Sequence, residues 1–229
     1  MNTLVNVARY HLVDRLTYVA LPWGILAFSF LVNVVIDALV PASPHGYYTG
    51  GVLTIYVFLL ICGAISMTRS LPFGLMLGAS RRGYYLGTTL LVVALGVGYG
   101  LGLTVLQSVE RATDGWGVSL HFFRVPWIMD GPWYQTWLSS FVLLVLFFLY
   151  GMWYGLVYRR WSVPGLVAFI AAQILAGVLV LVVVSVTHDW SAVGQFFTTV
   201  TALTLTGVLA VVAAAMGVGG LSTIRRVTI

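Results

Sequence analysis

The feature that most constrains this chain is a series of apolar runs too long for a soluble core and almost free of charge. Six stretches come close to or exceed the about 20 residues that cross a bilayer as a helix: 16–40, 51–67, 84–108, 134–157, 163–186 and 196–218. The second is the shortest. A soluble domain carries about 25% charged residues, whereas this chain has 7% of its 229 residues charged, too few to cover a surface in water. Disorder is excluded by the same apolar, aromatic-rich composition. The bilayer core offers no water to backbone amides, so spans of this length must satisfy them internally as helices. The expected fold class is an all-α membrane protein with six transmembrane helices, forming a single domain over 1–229: an interfacial helix at 1–15, spans within 16–218 and a cytoplasmic tail at 219–229. The first run is too long for a signal-peptide core, and no cleavage pattern follows it.

All eleven basic residues are arginine, against six acids. They stand singly or in pairs between apolar runs, without the clustered basic face that nucleic acid requires, so no nucleic-acid partner is expected. With the N-terminus inside, nine arginines (9, 15, 69, 81, 82, 159, 160, 225 and 226) fall on the cytoplasmic side and two, Arg111 and Arg124, outside. The positive-inside rule therefore predicts both termini in the cytoplasm. Val5, Ala8, Leu12 and Leu16 recur at helical spacing among Arg9, His11 and Arg15, predicting a short helix on membrane lipid. The lone Cys62 lies in an apolar run and reads as a buried small hydrophobe.

Few residues could carry chemistry. No phosphate-binding loop occurs, and without lysine its cation cannot exist. The four histidines are scattered without metal-ligand spacing, and no nucleophile–base pair stands inside a span. The chain is expected to be neither an enzyme nor a metal protein. The candidate pathway residues are the polar groups within or near spans: Asn33 and Asp37, four apart on one face; Gln107 and Glu110 at the outer end of the third span; and Gln173 near the middle of the fifth. Ionisable residues in a membrane mark pathways by default, but Asp37 and Glu110 lie close enough to the interface to be hydrated, and Gln173 also suits an interhelical hydrogen bond. Small residues recur every four positions at Ala94, Gly98 and Gly102, at Gly96 and Gly100, and at Gly151 and Gly155, predicting close helix packing. The long outer connection 109–133 carries Trp116, Phe122, Phe123, Trp127 and Trp133, suited to headgroups or to a gate.

The inner connection 68–83 is the most informative stretch. Pro72 can open a short helix, made apolar by Leu71, Phe73, Leu75, Met76 and Leu77. Gly78 can end it and Ser80 can cap the next helix. Arg81 and Arg82 then mark the cytoplasmic edge. An apolar helix presented between two spans suits a groove on a soluble partner, or a turn lying on lipid.

The stretch LPFGLMLGASRRGYYLGTTL resembles the cytoplasmic loop between the second and third spans of bacterial ATP-binding-cassette exporter permeases, the small six-span permeases of the second exporter type with the type V fold. LQSVERATDGWGVSLHFF, at the exit of the third span, resembles the same group. The resemblance implies a bacterial inner-membrane permease that works with a second copy or a related permease and with two cytoplasmic ATPase subunits. ATP and Mg would be bound by those partners and by no part of this chain. Residues 71–80 would be the coupling helix, with Arg81 and Arg82 at its edge, and 1–15 the connecting helix. Better-known type V members carry re-entrant helices between the fifth and sixth spans, for which 187–195 is too short.

The expected function is export of an amphipathic drug, peptide or lipid-like substrate, since the spans hold few fixed charges. An ATPase-linked sensor or anchor without transport shares the same features. An ion-coupled carrier would need a carboxylate near a midplane, and none stands there.

Overall fold

The structure, a computed structural model, describes residues 16–39 and 47–224. The predicted interfacial helix at 1–15 and the last five residues of the tail lie outside them. Five helices are long and apolar enough to cross a membrane: α1 (Leu16–Leu39), α2 (Leu53–Met76), α3 (Arg81–Ala112), α4 (Trp133–Thr187) and, beyond the ten-residue α5 (Trp190–Thr199), α6 (Ala202–Thr223). The protein is thus an all-α membrane protein. Two short strands, β1 (Tyr47–Tyr48) and β2 (Leu120–His121), pair in parallel at Tyr47–Leu120 and Tyr48–His121.

Three boundaries differ from expectation. α2 does not stop at Met67; it passes through a π-helical turn at Ser66–Ser70 and continues into the Leu71–Met76 segment. The hydroxyls at the expected end of the span are satisfied within the helix: Ser66 Oγ donates to the Gly63 carbonyl at 2.7 Å, and Thr68 Oγ1, at the start of the expected loop, to that of Ala64 at 3.0 Å. The expected fourth and fifth spans merge into α4, 55 residues long with one non-helical residue, Ser162, at φ 55° and ψ −154°. A straight helix of that length would reach about 80 Å, well over twice the hydrocarbon thickness of about 30 Å.

Side-chain pairing shows that α4 folds back. The Tyr150 and Tyr154 hydroxyls donate to Oε1 of Gln173, and the Tyr154 ring meets Phe169 edge-on at 5.3 Å. The Tyr150–Gln173 and Tyr154–Phe169 pairings both centre between positions 161 and 162, and Tyr154–Gln173 within two residues of it, so 133–161 and 163–187 run antiparallel about the Ser162 turn. Pro164 sits in the first turn after the break, where its missing N–H costs no helical bond.

The expected last span, 196–218, is divided. The β-branched run Thr198–Thr199–Val200–Thr201 disfavours helix; α5 ends at Thr199 and Thr201 caps α6, its Oγ1 accepting the Thr204 amide at 3.2 Å. α6 then extends to Thr223, five residues past the expected end. α5 takes up the end of the 187–195 connection, expected to be too short for re-entrant helices, and the first four residues of the expected last span; at about 15 Å it is too short to cross a bilayer.

The core lies where α2, α3 and the first half of α4 meet, with α1 and α6 on its flanks. Tyr56, Tyr84, Tyr85 and Phe148 are among its fully buried side chains. Gly151 and Gly155 do what their spacing predicts. A Cβ at Gly151 would lie 1.9 Å from the Leu60 carbonyl oxygen, and one at Gly155 2.8 Å from that of Ala64, so only glycine lets α2 and α4 cross this closely. Gly98, by contrast, faces open space. α6 is pinned through polar bonds, one buried and two partly buried: Ser139 to Thr206 at 2.8 Å, Trp153 Nε1 to the Met216 carbonyl at 3.0 Å and Tyr85 hydroxyl to the Gly217 carbonyl at 2.9 Å. The half of α4 after Ser162 and all of α5 bury no residue; their apolar faces suit lipid or another membrane chain.

Candidate functional site

The Leu71–Met76 segment has Pro72 in its first turn, as its sequence predicts, and ends at Gly78 with φ +86°, a left-handed value that glycine adopts without steric cost. Ser80 caps α3 by accepting the Gly83 amide at 3.0 Å. The segment has two faces. Leu71 and Gly74 point inward, and the Tyr84 ring lies so close over Gly74 that a Cβ there would come within 2.6 Å of it. Phe73, Met76 and Leu77 point outward, 48%, 79% and 67% exposed, at the i, i+3, i+4 spacing of one helical face. Leu75 is half-buried against the core.

This corner is braced. The Tyr84 hydroxyl donates to the Ser66 carbonyl at 2.9 Å, and Arg159 Nε donates to the Met67 carbonyl at 3.3 Å. α2, α3 and α4 are thereby tied together at the π turn, and a push on the exposed face would be carried into all three. Arg69, Arg81, Arg82, Arg159 and Arg160 belong to this end of the helices. No acid occurs in sequence between Asp37 and Glu110 or between Asp130 and Asp189, the stretches that supply these arginines.

The opposite end carries an ordered cap. Glu110 is fully buried at the end of α3. Its Oε2 accepts Trp116 Nε1 at 3.1 Å and the amides of Phe122 at 3.0 Å and Phe123 at 2.8 Å; its Oε1 accepts the Arg124 amide at 3.0 Å. Four donors converging on one carboxylate make Glu110 the fastener of the 109–133 connection. Gln107 works beside it, Nε2 donating to the Met129 carbonyl at 2.7 Å. Asp130 receives Nε and Nη2 of Arg124 at 2.9 and 3.0 Å and Nη2 of Arg111 at 3.1 Å. The hydrogen bonds from Arg124 hold its carboxyl below the usual carboxylate range, and Asp130 in return raises the Arg124 guanidinium. Phe30 of α1 packs edge-on against Trp116 at 5.0 Å and Phe122 at 5.4 Å, and Trp127 Nε1 donates to the Val200 carbonyl at 3.1 Å beyond α5.

The polar residues singled out in the spans are not gathered into one site. Gln107 and Glu110 sit together under the cap. Asn33 donates to its own helix, Nδ2 to the Ser29 carbonyl at 2.8 Å, and Asp37 is half-buried near the end of α1. Gln173 is the clasp of the α4 hairpin. Sequence reasoning overlooked Tyr84, Tyr150 and Tyr154, whose hydroxyls find partners across helices, and the Arg124–Asp130 pair. The pair left one trace: the only two arginines outside the predicted inner segments, Arg111 and Arg124, share a connection with Asp130.

No protein-family model, no curated protein and no solved structure matches this chain.

Proposed function

We propose that this chain is the membrane-spanning permease subunit of an ATP-binding-cassette exporter. The observation that carries the reading is the braced helix Leu71–Met76, which presents Phe73, Met76 and Leu77 outward while Leu71, Gly74 and Tyr84 lock it to the core. Such a helix meets the two requirements of a coupling element: an apolar plug for a partner's groove and a stiff connection to the spans. The α4 hairpin supports a count of six crossings, and the arginine asymmetry supports cytoplasmic placement of both termini and of the braced corner.

In this reading two ATPase subunits bind ATP and Mg below a pair of permease chains, identical or related, in a bacterial inner membrane. Closing of the ATPases presses on the 71–80 segment. The Tyr84–Ser66 and Arg159–Met67 bonds carry that displacement into α2, α3 and α4, switching the pathway between inward-closed and outward-open states. The cargo is amphipathic, a drug, peptide or lipid-like molecule, because the spans provide hydroxyls and carboxamides rather than charges.

The test is purification of the tagged chain in mild detergent from its native membrane, with identification of stoichiometric partners. Recovery of an ATPase whose hydrolysis rises with an amphipathic substrate in liposomes is the expected result. Repeated recovery without any ATPase, including after crosslinking in the membrane, overturns the reading.

A further inference from the structure

A cleft of about 590 Å³ opens where α2 meets both halves of the α4 hairpin. One wall is the α2 ridge containing Leu60, Ile61 and Ile65, the other is Tyr154 and Tyr158 of α4, and Leu166 beyond the Ser162 turn closes the third side. From Leu60 to Arg69 the α2 wall runs about 13 Å. The cleft is graded along that length. Its far part is aliphatic, while Thr68, Arg69 and the Tyr158 phenol gather at the arginine-rich end.

Two guanidiniums lack anionic partners among the described residues: Arg69, which lines this end of the cleft, and Arg159, which is bonded near it without lining it. Arg69 is exposed at the cleft and forms no ion pair with any described residue. Arg159, anchored by Nε to the Met67 carbonyl two residues from Arg69, keeps its Nη2 buried with no hydrogen-bond partner. A buried cationic donor without an acceptor is costly, and no acid of this chain is near in sequence to supply one. Arg160 lies over the Trp161 ring at 4.6 Å, the arrangement of a side chain anchored at the headgroup level.

We infer that this cleft binds an acidic phospholipid of the surrounding leaflet, its phosphate at Arg69 and one acyl chain against Leu60, Ile61, Ile65 and Leu166. Charge and shape select the occupant: a cationic rim beside a lipid-accessible aliphatic trough matches a headgroup and chain joined in one molecule. A soluble anion would leave the trough empty, and a neutral lipid would leave Arg69 unpaired. Basic pockets between helices at a membrane edge are suited to such headgroups.

The full-length protein is reconstituted in nanodiscs of equal phosphatidylglycerol and phosphatidylcholine, and the lipids retained after detergent extraction are identified by native mass spectrometry. Wild type is expected to retain phosphatidylglycerol in preference, and Arg69→Gln to lose about fivefold of that preference, the effect of one arginine near a headgroup. Arg69→Lys keeps most of it. Ile61→Trp, at a lipid-accessible position, lowers retention by filling the trough. Arg82→Gln, which removes a charge from the same end but outside the cleft, leaves the ratio unchanged. Equal retention of the two lipids by wild type overturns the inference, as does an equal loss in Arg69→Gln and Arg82→Gln, which would make the attraction a diffuse surface field. Soluble phosphate displacing the lipid at millimolar concentration would assign the rim to a free anion and also overturn it.

Discussion

The Oε2 atom of Glu110 accepts the main-chain amide of Phe123 at 2.8 Å, with the amide of Phe122 on the same oxygen at 3.0 Å. Adjacent amides on one buried oxygen fix the direction of the chain as it enters the cap, and Trp116 Nε1 closes the cluster from the other side. In Glu110→Gln the carboxamide replaces one acceptor oxygen with a donor, so at least one N–H must face another N–H. Hydrogen bonds to a charged group are worth about 1.5–3 kcal/mol, and a buried donor left unpaired costs a similar amount. The expected loss is about 3 kcal/mol of stability in detergent, with amide exchange rising at Phe122, Phe123 and Arg124 before it rises in the spans. Unchanged exchange there would mean the carboxylate does not fasten the cap.

A second fastener titrates. Asp130 has its carboxyl lowered from 3.8 by hydrogen bonds from Arg124, with Arg111 adding to the effect. Its contribution is therefore complete at neutral pH. It weakens once the unfolded chain begins to take up the proton, near an ordinary carboxylate value of about 3.9, and is gone when pH falls through the lower native value. The fluorescence of the cap tryptophans should stay flat from pH 7 to 5 and change only below about pH 4. Asp130→Asn should reach the altered spectrum at neutral pH. Arg111→Gln should have a smaller effect than Arg124→Gln, because Arg111 is the more exposed partner, at 45% against 22% for the side chains.

Local rules were enough for the short-range features. Pro72, Gly78 and Ser80 occupy the start, stop and cap that their chemistry favours, and Gly151 and Gly155 lie at the closest helix crossing. What sequence could not supply is partner choice at a distance. Glu110 reads as a carboxylate in or near a pathway until the chain returns residues 116–124 to it, 6 to 14 positions later. Thr68 reads as loop because its hydroxyl counts as polar, although a helix can satisfy it through its own carbonyls. Composition recognised Thr198–Thr201 as apolar enough to belong to a span, and overlooked that four β-branched residues in succession disfavour a continuous helix.

Ser162 holds a conformation that a side chain opposes, φ 55° with ψ −154°, a region populated chiefly by glycine. The strain persists because the Tyr150–Gln173 and Tyr154–Phe169 contacts hold the two arms together. Ser162→Gly should therefore stabilise the protein by about 1 kcal/mol, even after the added freedom of the unfolded chain is counted, and Ser162→Val should destabilise it by about as much or more. Gln173→Leu should cost about 0.6 kcal/mol, the average for an interhelical hydrogen bond in a membrane. Thermal unfolding in one detergent compares all three; a destabilised Ser162→Gly would show that the serine itself makes a contact the turn needs.

The two faces of the Leu71–Met76 segment separate binding from transmission. If Phe73 and Leu77 enter an apolar groove, each contributes about 1.5–3 kcal/mol, so the double variant Phe73→Asp/Leu77→Asp should weaken ATPase association by more than 100-fold. Because both side chains are exposed, the spans should insert and unfold as in wild type. Leu71→Asp places a charge at a position only 1% exposed and should instead impair folding. Tyr84→Phe keeps the ring over Gly74 and removes the bond to the Ser66 carbonyl, loosening the helix from α2 without changing its outer face. That variant should bind the ATPase normally and lose a large part of the substrate-stimulated increase in hydrolysis, measured in liposomes against basal turnover. Full stimulation in Tyr84→Phe would show that the displacement reaches the spans by another route, and intact binding by the double aspartate variant would remove this face from the interface.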